Sequence, residues 1–232
     1  MKLMALFLTA TSFFVSSNSL SLAETTSKGV LALINTDDVA TYDNKLGTFE
    51  TRVNAQGCRI LREGPVLAED GDIDLDQPNR FIYMTCSSSF LGHTDGRKLI
   101  SQLNQGLEYA VAVEGVTILH DEASFERTAT TRSFILKVSY YNNSNPAQRD
   151  EDLSTLGTLV HPRTDTYQTE AFVGVSQAYG IPTPDEAVVI YYDTPDAGNR
   201  FRENNPDILK KIIDFNDKHL NDFIYYIAQS RR

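Results

Sequence analysis

The sequence predicts an α+β fold, a mixed sheet with packed helices including a long carboxyl-terminal amphipathic helix. Three observations predict it. Segments of strand length recur, either continuously apolar, as in Val30–Ile34 and Ala187–Tyr192, or rich in β-branched and aromatic residues, as in Arg80–Cys86 and Thr131–Tyr141. Between them lie segments with apolar residues at spacings of three and four, which mark amphipathic helices. Helical segments are too few and too unevenly spaced for regular strand–helix–strand repetition, which argues against a parallel α/β sheet. No internal repeat is visible.

The first residues read as an export signal. One positive charge, Lys2, precedes the apolar run Ala5–Val15, and a polar stretch then ends Ser21-Leu22-Ala23, with small residues where a signal peptidase needs them. The apolar core is about half of the ~20 residues that span a bilayer, so cleavage before Glu24 is expected rather than a retained anchor. The expected organisation is a signal peptide over 1–23 and a single domain over 24–232, secreted or periplasmic and soluble, with no membrane insertion after cleavage. Cleavage removes Lys2 alone and moves the net charge from −10 to −11. Such an excess of carboxylates repels phosphate backbones, and the basic pairs Arg97-Lys98, Lys210-Lys211 and Arg231-Arg232 are isolated, so no nucleic-acid partner is expected.

In order along the chain, Val30–Ile34 is a buried-type strand. Asn35–Asp38 supplies caps for a helix to about Ala55, carried by Val39, Tyr42, Leu46, Phe49 and Val53. Cys58–Arg62 reads as a strand, Glu63–Asn79 as a Gly- and Pro-containing acidic loop, and Arg80–Cys86 as the next strand. Thr94 or Asp95 starts a helix with Leu99, Ile100, Leu103 and Leu107 on one face. Ala110–Leu119 reads either as a hairpin or as a helix end followed by a strand. After the strand to Tyr141, Glu170–Tyr179 reads as helical and stops at Gly180, and Ala187–Tyr192 is again strand. Asn205, Pro206 and Asp207 start the last helix. Its stripe Ile208, Leu209, Ile212, Ile213, Phe215, Leu220, Phe223, Ile224 and Ile227 is expected to pack across the sheet.

The two cysteines, Cys58 and Cys86, are expected to form a disulfide in an oxidising compartment. It closes a loop of about 28 residues, worth about 3 kcal/mol in chain-entropy terms.

Four groups of residues carry candidate chemistry. Asp70, Asp72, Asp74 and Asp76 alternate along one loop and could turn oxygens toward a hard cation such as calcium, although Leu75 and Phe81 stand where an EF-hand needs Gly and Glu. His93, His120 and His161 lack the short motif of a catalytic zinc, so only folding could assemble them. Gly174-Val175-Ser176-Gln177-Ala178 has the form of a nucleophile elbow, with Asp193 and His219 following in hydrolase order. Only 17 residues separate Ser176 from Asp193. Lastly, Tyr140, Tyr141, Tyr191 and Tyr192 could form an exposed aromatic patch.

No set has the spacing of a complete catalytic motif. The leading expectation is therefore a non-catalytic binding or accessory protein whose partner is a protein or envelope ligand, with no cofactor. A small secreted hydrolase using Ser176, Asp193 and His219, or a loop-built metal site, is the second reading.

Overall fold

The computed structural model describes residues 27–73, 75, 77–104, 110–120, 132–160 and 167–231. Within them eight strands close into one barrel whose every neighbouring pair runs antiparallel. The first half holds β1 (Lys28–Ile34), α1 (Val39–Ala55), β2 (Cys58–Gly71), β3 (Arg80–Cys86), α2 (Thr94–Leu103) and β4 (Val111–His120). The second holds β5 (Ser133–Tyr141), α3 (Pro146–Val160), β6 (Gln168–Tyr179), β7 (Glu186–Tyr192), α4 (Pro195–Asn204), α5 (Pro206–His219) and β8 (Leu220–Gln229).

Around the barrel the order is β1-β3-β2-β8-β5-β7-β6-β4. Each half is thus the same four-stranded unit, its strands ordered fourth, first, third, second, with helices on the outer face. The units join edge to edge through β2–β8 and β4–β6. Closure leaves no strand edge unpaired, which removes the templates for aggregation that an open sheet presents. Both seams require glycine. A Cβ on Gly64 of β2 would lie 2.0 Å from the Gln229 carbonyl oxygen, and one on Gly115 of β4 would lie 1.8 Å from that of Gly174.

Strand alternation sorts the apolar side chains into two cores. Leu31, Leu33, Phe81, Tyr83, Phe134, Leu136, Val138, Val189, Tyr226 and Ala228 fill the barrel. On the outer face of the first half, Val30, Ala32, Ile34, Ile82 and Met84 meet Tyr42, Phe49 and Val53 of α1 and Leu99, Ile100 and Leu103 of α2. Asp38 caps α1, its carboxylate accepting from the Ala40 amide. Cys58 and Cys86 are directly opposed in the β2–β3 ladder and are joined as a disulfide.

Several expectations are corrected. The sheet is an antiparallel barrel rather than mixed, and the chain has no long carboxyl-terminal helix: α5 stops at His219 and the chain continues as β8. Leu220, Phe223, Ile224 and Ile227 do fall at helical spacing. However, Ile224, Tyr226 and Ala228 also alternate, and the aromatic and β-branched run fits a pleated surface closing the barrel. Glu170–Tyr179 belongs to strand β6, not a helix, because Ala171 and Val173 face the barrel core. Strand β2 runs through Gly64 and Pro65 to Gly71, where a loop is expected, and Val111–His120 is one strand.

Candidate functional site

The outer faces of the two halves are built from equivalent positions but different chemistry. Where β1 offers Val30, Ala32 and Ile34, the equivalent strand β5 offers Ile135, Lys137 and Ser139, with Tyr141 at its end. Where β3 offers the fully buried Ile82 and Met84, β7 offers half-buried Val188 and Ile190 and begins with the buried carboxylate Glu186. A charge facing a helix layer persists only if it is paired and hydrogen-bonded.

Glu186 gathers three donors. Lys137 Nζ lies 3.0 Å from Oε1, Ser139 Oγ donates to the same oxygen at 2.9 Å, and the Tyr141 hydroxyl donates in a short contact to Oε2. The strand register explains the set, since Ser139 is directly opposite Glu186. Lys137 reaches between the rings of Phe215 (5.9 Å) and Tyr225 (5.8 Å), and Arg149 of α3 stacks on the Tyr141 ring at 4.1 Å. Burial opposes the charge on Lys137, but Glu186 and then Tyr225 outweigh it and raise its pKa above the ordinary lysine value. Burial first, and Glu186 second, push the Tyr141 hydroxyl far above the ordinary tyrosine range.

The covering layer is loose on one side. Helix α3 rests chiefly on α5 rather than on the sheet; Leu153 is exposed and Leu156 half-buried. An ionic clip holds α3. Asp152 takes Lys218 Nζ at 2.6 Å and His219 Nε2 at 2.7 Å, and those donors, with Gln148, hold its pKa well below the carboxylate range. At the other end of this half an aromatic cluster forms: Tyr167 meets Tyr192 and Phe201 edge-on, with ring centroids 6.3 and 5.7 Å away. Burial pushes both tyrosines up to about 12.

Of the residues singled out in the sequence, Tyr141, Tyr192 and His219 belong to this set, and the other candidates lie apart from it. Ser176 is on β6 at the β4–β6 seam, with Oγ 3.5 Å from the Glu114 carbonyl oxygen. Asp193 follows β7, exposed, its carboxylate 4.0 Å from Arg132. His219 ends α5 on Asp152 and packs on Phe215. These three side chains thus have three different partners. Asp70 is the last residue but one of β2 and Asp72 follows the strand, both exposed, whereas Asp74 and Asp76 lie outside the described residues. His93 precedes α2; the His120 side chain and His161 are outside the described residues. Among the described residues no three His, Cys, Asp or Glu side chains are placed to hold a metal ion. Of the four tyrosines, Tyr191 and Tyr192 are buried and Tyr140 and Tyr141 half-buried.

No protein-family model and no curated protein matches the chain. Solved structures do share its fold. A mutant chlorite dismutase from Candidatus Nitrospira defluvii, in complex with cyanide, aligns with a TM-score of 0.56 at 9% identity, covering 90% of this chain and 92% of its own. An anthrone oxidase-like protein aligns at 0.55 and 12% identity, covering 89% and 92%. A candidate monooxygenase from Lactobacillus acidophilus aligns at 0.53 and 10%, covering 88% and 94%. These three matches, at 12% identity or less, show a shared fold, and their naming as an oxidase-like protein, a monooxygenase and a dismutase stands against the leading expectation of a non-catalytic binding module.

Proposed function

We propose that the chain is an exported oxidoreductase whose reaction space lies between the outer face of the second half and helices α3–α5. One contrast carries the reading: two units of the same topology, one with an apolar outer face, the other carrying Lys137, Ser139, Tyr141 and Glu186 beneath its helices. Ordered polar groups on a half-buried apolar face are what a ligand pocket offers. The fold's company of oxidases, monooxygenases and dismutases supports redox chemistry. The leader 1–23 and the disulfide support export.

A flat hydroaromatic or phenolic substrate would lie beside the packed aromatic cluster of Tyr167, Tyr192 and Phe201. Glu186 accepts the substrate's acidic proton, and Lys137 and Tyr141 hold that carboxylate in place. The resulting electron-rich anion is oxidised by dioxygen. For anthrone the balance is one anthrone and one O₂ to one anthraquinone and one water. A haem would need a side-chain donor to its iron, and among the described residues of this half His219 is the imidazole present, its Nε2 on Asp152.

Oxygen uptake with anthrone as substrate tests the reading. The expected result is uptake matched by anthraquinone formation, lowered at least about a hundredfold in Glu186→Gln with an unchanged circular dichroism spectrum. Uptake no faster than in buffer, or an unaffected Glu186→Gln variant, refutes it. Protein recovered outside the cytoplasm should begin at Glu24.

A further inference from the structure

The helix layer of the first half carries a groove for which the site above has no use. It has a volume of about 420 Å³ and lies between α1 and α2, floored by Phe49, Leu99 and Leu103. Thr41, Lys45, Thr48 and Arg52 recur on one face of α1 and form its wall. Lys45 and Arg52 are two turns apart, roughly 10 Å along the axis, yet both bend toward one residue of α2. Lys45 Nζ donates to the Gln102 carbonyl at 3.2 Å and Arg52 donates to Gln102 Oε1 at 3.2 Å. Among the described residues no carboxylate lines the groove, although the chain carries a net charge of −10.

The other half shows what is missing. There the corresponding helices α3 and α5 also bring two basic groups together, Lys218 and His219, but Asp152 lies between them. Between α1 and α2, among the described residues, the cations meet the neutral backbone carbonyl and side-chain amide of Gln102. We infer that the α1–α2 groove is a binding site for a small amphipathic anion, its carboxylate or sulfonate on Lys45 and Arg52 and its apolar body over Phe49, Leu99 and Leu103. The volume falls in the range of small-molecule sites, about 300–1,000 Å³. The site is independent of the proposed oxidation, since none of its residues belongs to the second half.

Titration with 8-anilinonaphthalene-1-sulfonate, followed by fluorescence, tests it on the full chain. The expected result is one saturable site per chain. Affinity should fall at least tenfold in Lys45→Gln/Arg52→Gln, and also in Thr48→Trp, which fills the groove from an exposed helix position without touching the core. The uncharged analogue N-phenyl-1-naphthylamine should bind at least tenfold more weakly. Thermal melts show that the variants remain folded. Absence of a saturable site, affinity within twofold of wild type in either variant, or equally tight binding of the neutral analogue overturns the assignment.

Discussion

Arg62 and Glu170 meet inside the barrel, Nε to Oε1 at 2.9 Å, from strands β2 and β6 on opposite sides of the ring. Both are essentially inaccessible to solvent, and Arg132 approaches the same carboxylate at 3.5 Å while stacking on the Tyr191 ring. Removing the carboxylate takes a buried counter-charge from two buried guanidinium groups. Glu170→Ala should therefore cost about 3–5 kcal/mol, a drop of roughly 10 °C or more in Tm. Replacing all three charges together with apolar residues of similar size should cost far less. A single variant within 1 kcal/mol of wild type in urea denaturation contradicts the assignment.

The seams should be the places least tolerant of one added methyl group. Gly115→Ala drives its Cβ into the Gly174 carbonyl and should destabilise by about 2 kcal/mol or more. Gly157→Ala in α3, where nothing lies within 4 Å, should be neutral or stabilising by up to about 1 kcal/mol. Equal melting temperatures for the two variants would contradict the close approach of β4 and β6.

Alkaline stability follows from the tyrosines. Burial raises Tyr42, Tyr83, Tyr141, Tyr167, Tyr192 and Tyr226 above the ordinary value near 10. A raised folded-state pKa means that the unfolded chain ionises first. The contribution of these hydroxyls is complete below about pH 10 and is lost as pH rises through the folded values. Absorbance at 295 nm should show a delayed step coincident with loss of structure, and tyrosines that all titrate near pH 10 in the folded protein would contradict it.

The clip on α3 has the opposite sign. The depressed pKa of Asp152 means that its contribution is present above about pH 4 and is lost as pH falls toward the folded value. Asp152→Asn should speed amide exchange across residues 146–160 at pH 7 while leaving β5 and β7 protected. Unchanged exchange in that helix would show that the clip does not hold it.

The carboxyl terminus is tied across the β2–β8 seam. Arg231 donates to both oxygens of buried Glu63, each at 2.9 Å, and reaches Asp43 of α1 at 2.8 Å. Arg231→Ala should cost about 1–2 kcal/mol, since the guanidinium is about one-third exposed and partly screened by water. Release of α1 should appear as faster proteolysis near residue 43.

Much of the first half was legible because propensity and pattern agree there. The run Val30–Ile34, the Asp38 cap and the stripe from Tyr42 to Val53 each point to the element that forms, and the opposed cysteines mark the β2–β3 pair. The barrel was not legible, because closure depends on registers between strands as distant as β2 and β8. The buried charges were hidden for a local reason. Register shifts at Ile60/Arg62 and Thr169/Ala171 interrupt the alternation where Arg62 and Glu170 turn inward. Lys137 was visible as a lone charge in SFILKVSYY, but its partner Glu186 becomes a neighbour only through the β5–β7 ladder.

Joining the two units in one polypeptide has a consequence for how the molecule can change. In a pair of identical subunits every substitution occurs twice, so a lysine placed beneath one helix layer must be accommodated beneath the other. Here each lobe accumulates its own substitutions, and the one fastened by Cys58–Cys86 can remain greasy and rigid while its sibling diversifies. The arrangement also forbids a simple division of labour by cleavage: a lone lobe would bare the hydrogen-bonding rims of two strands at once and stick to its own kind.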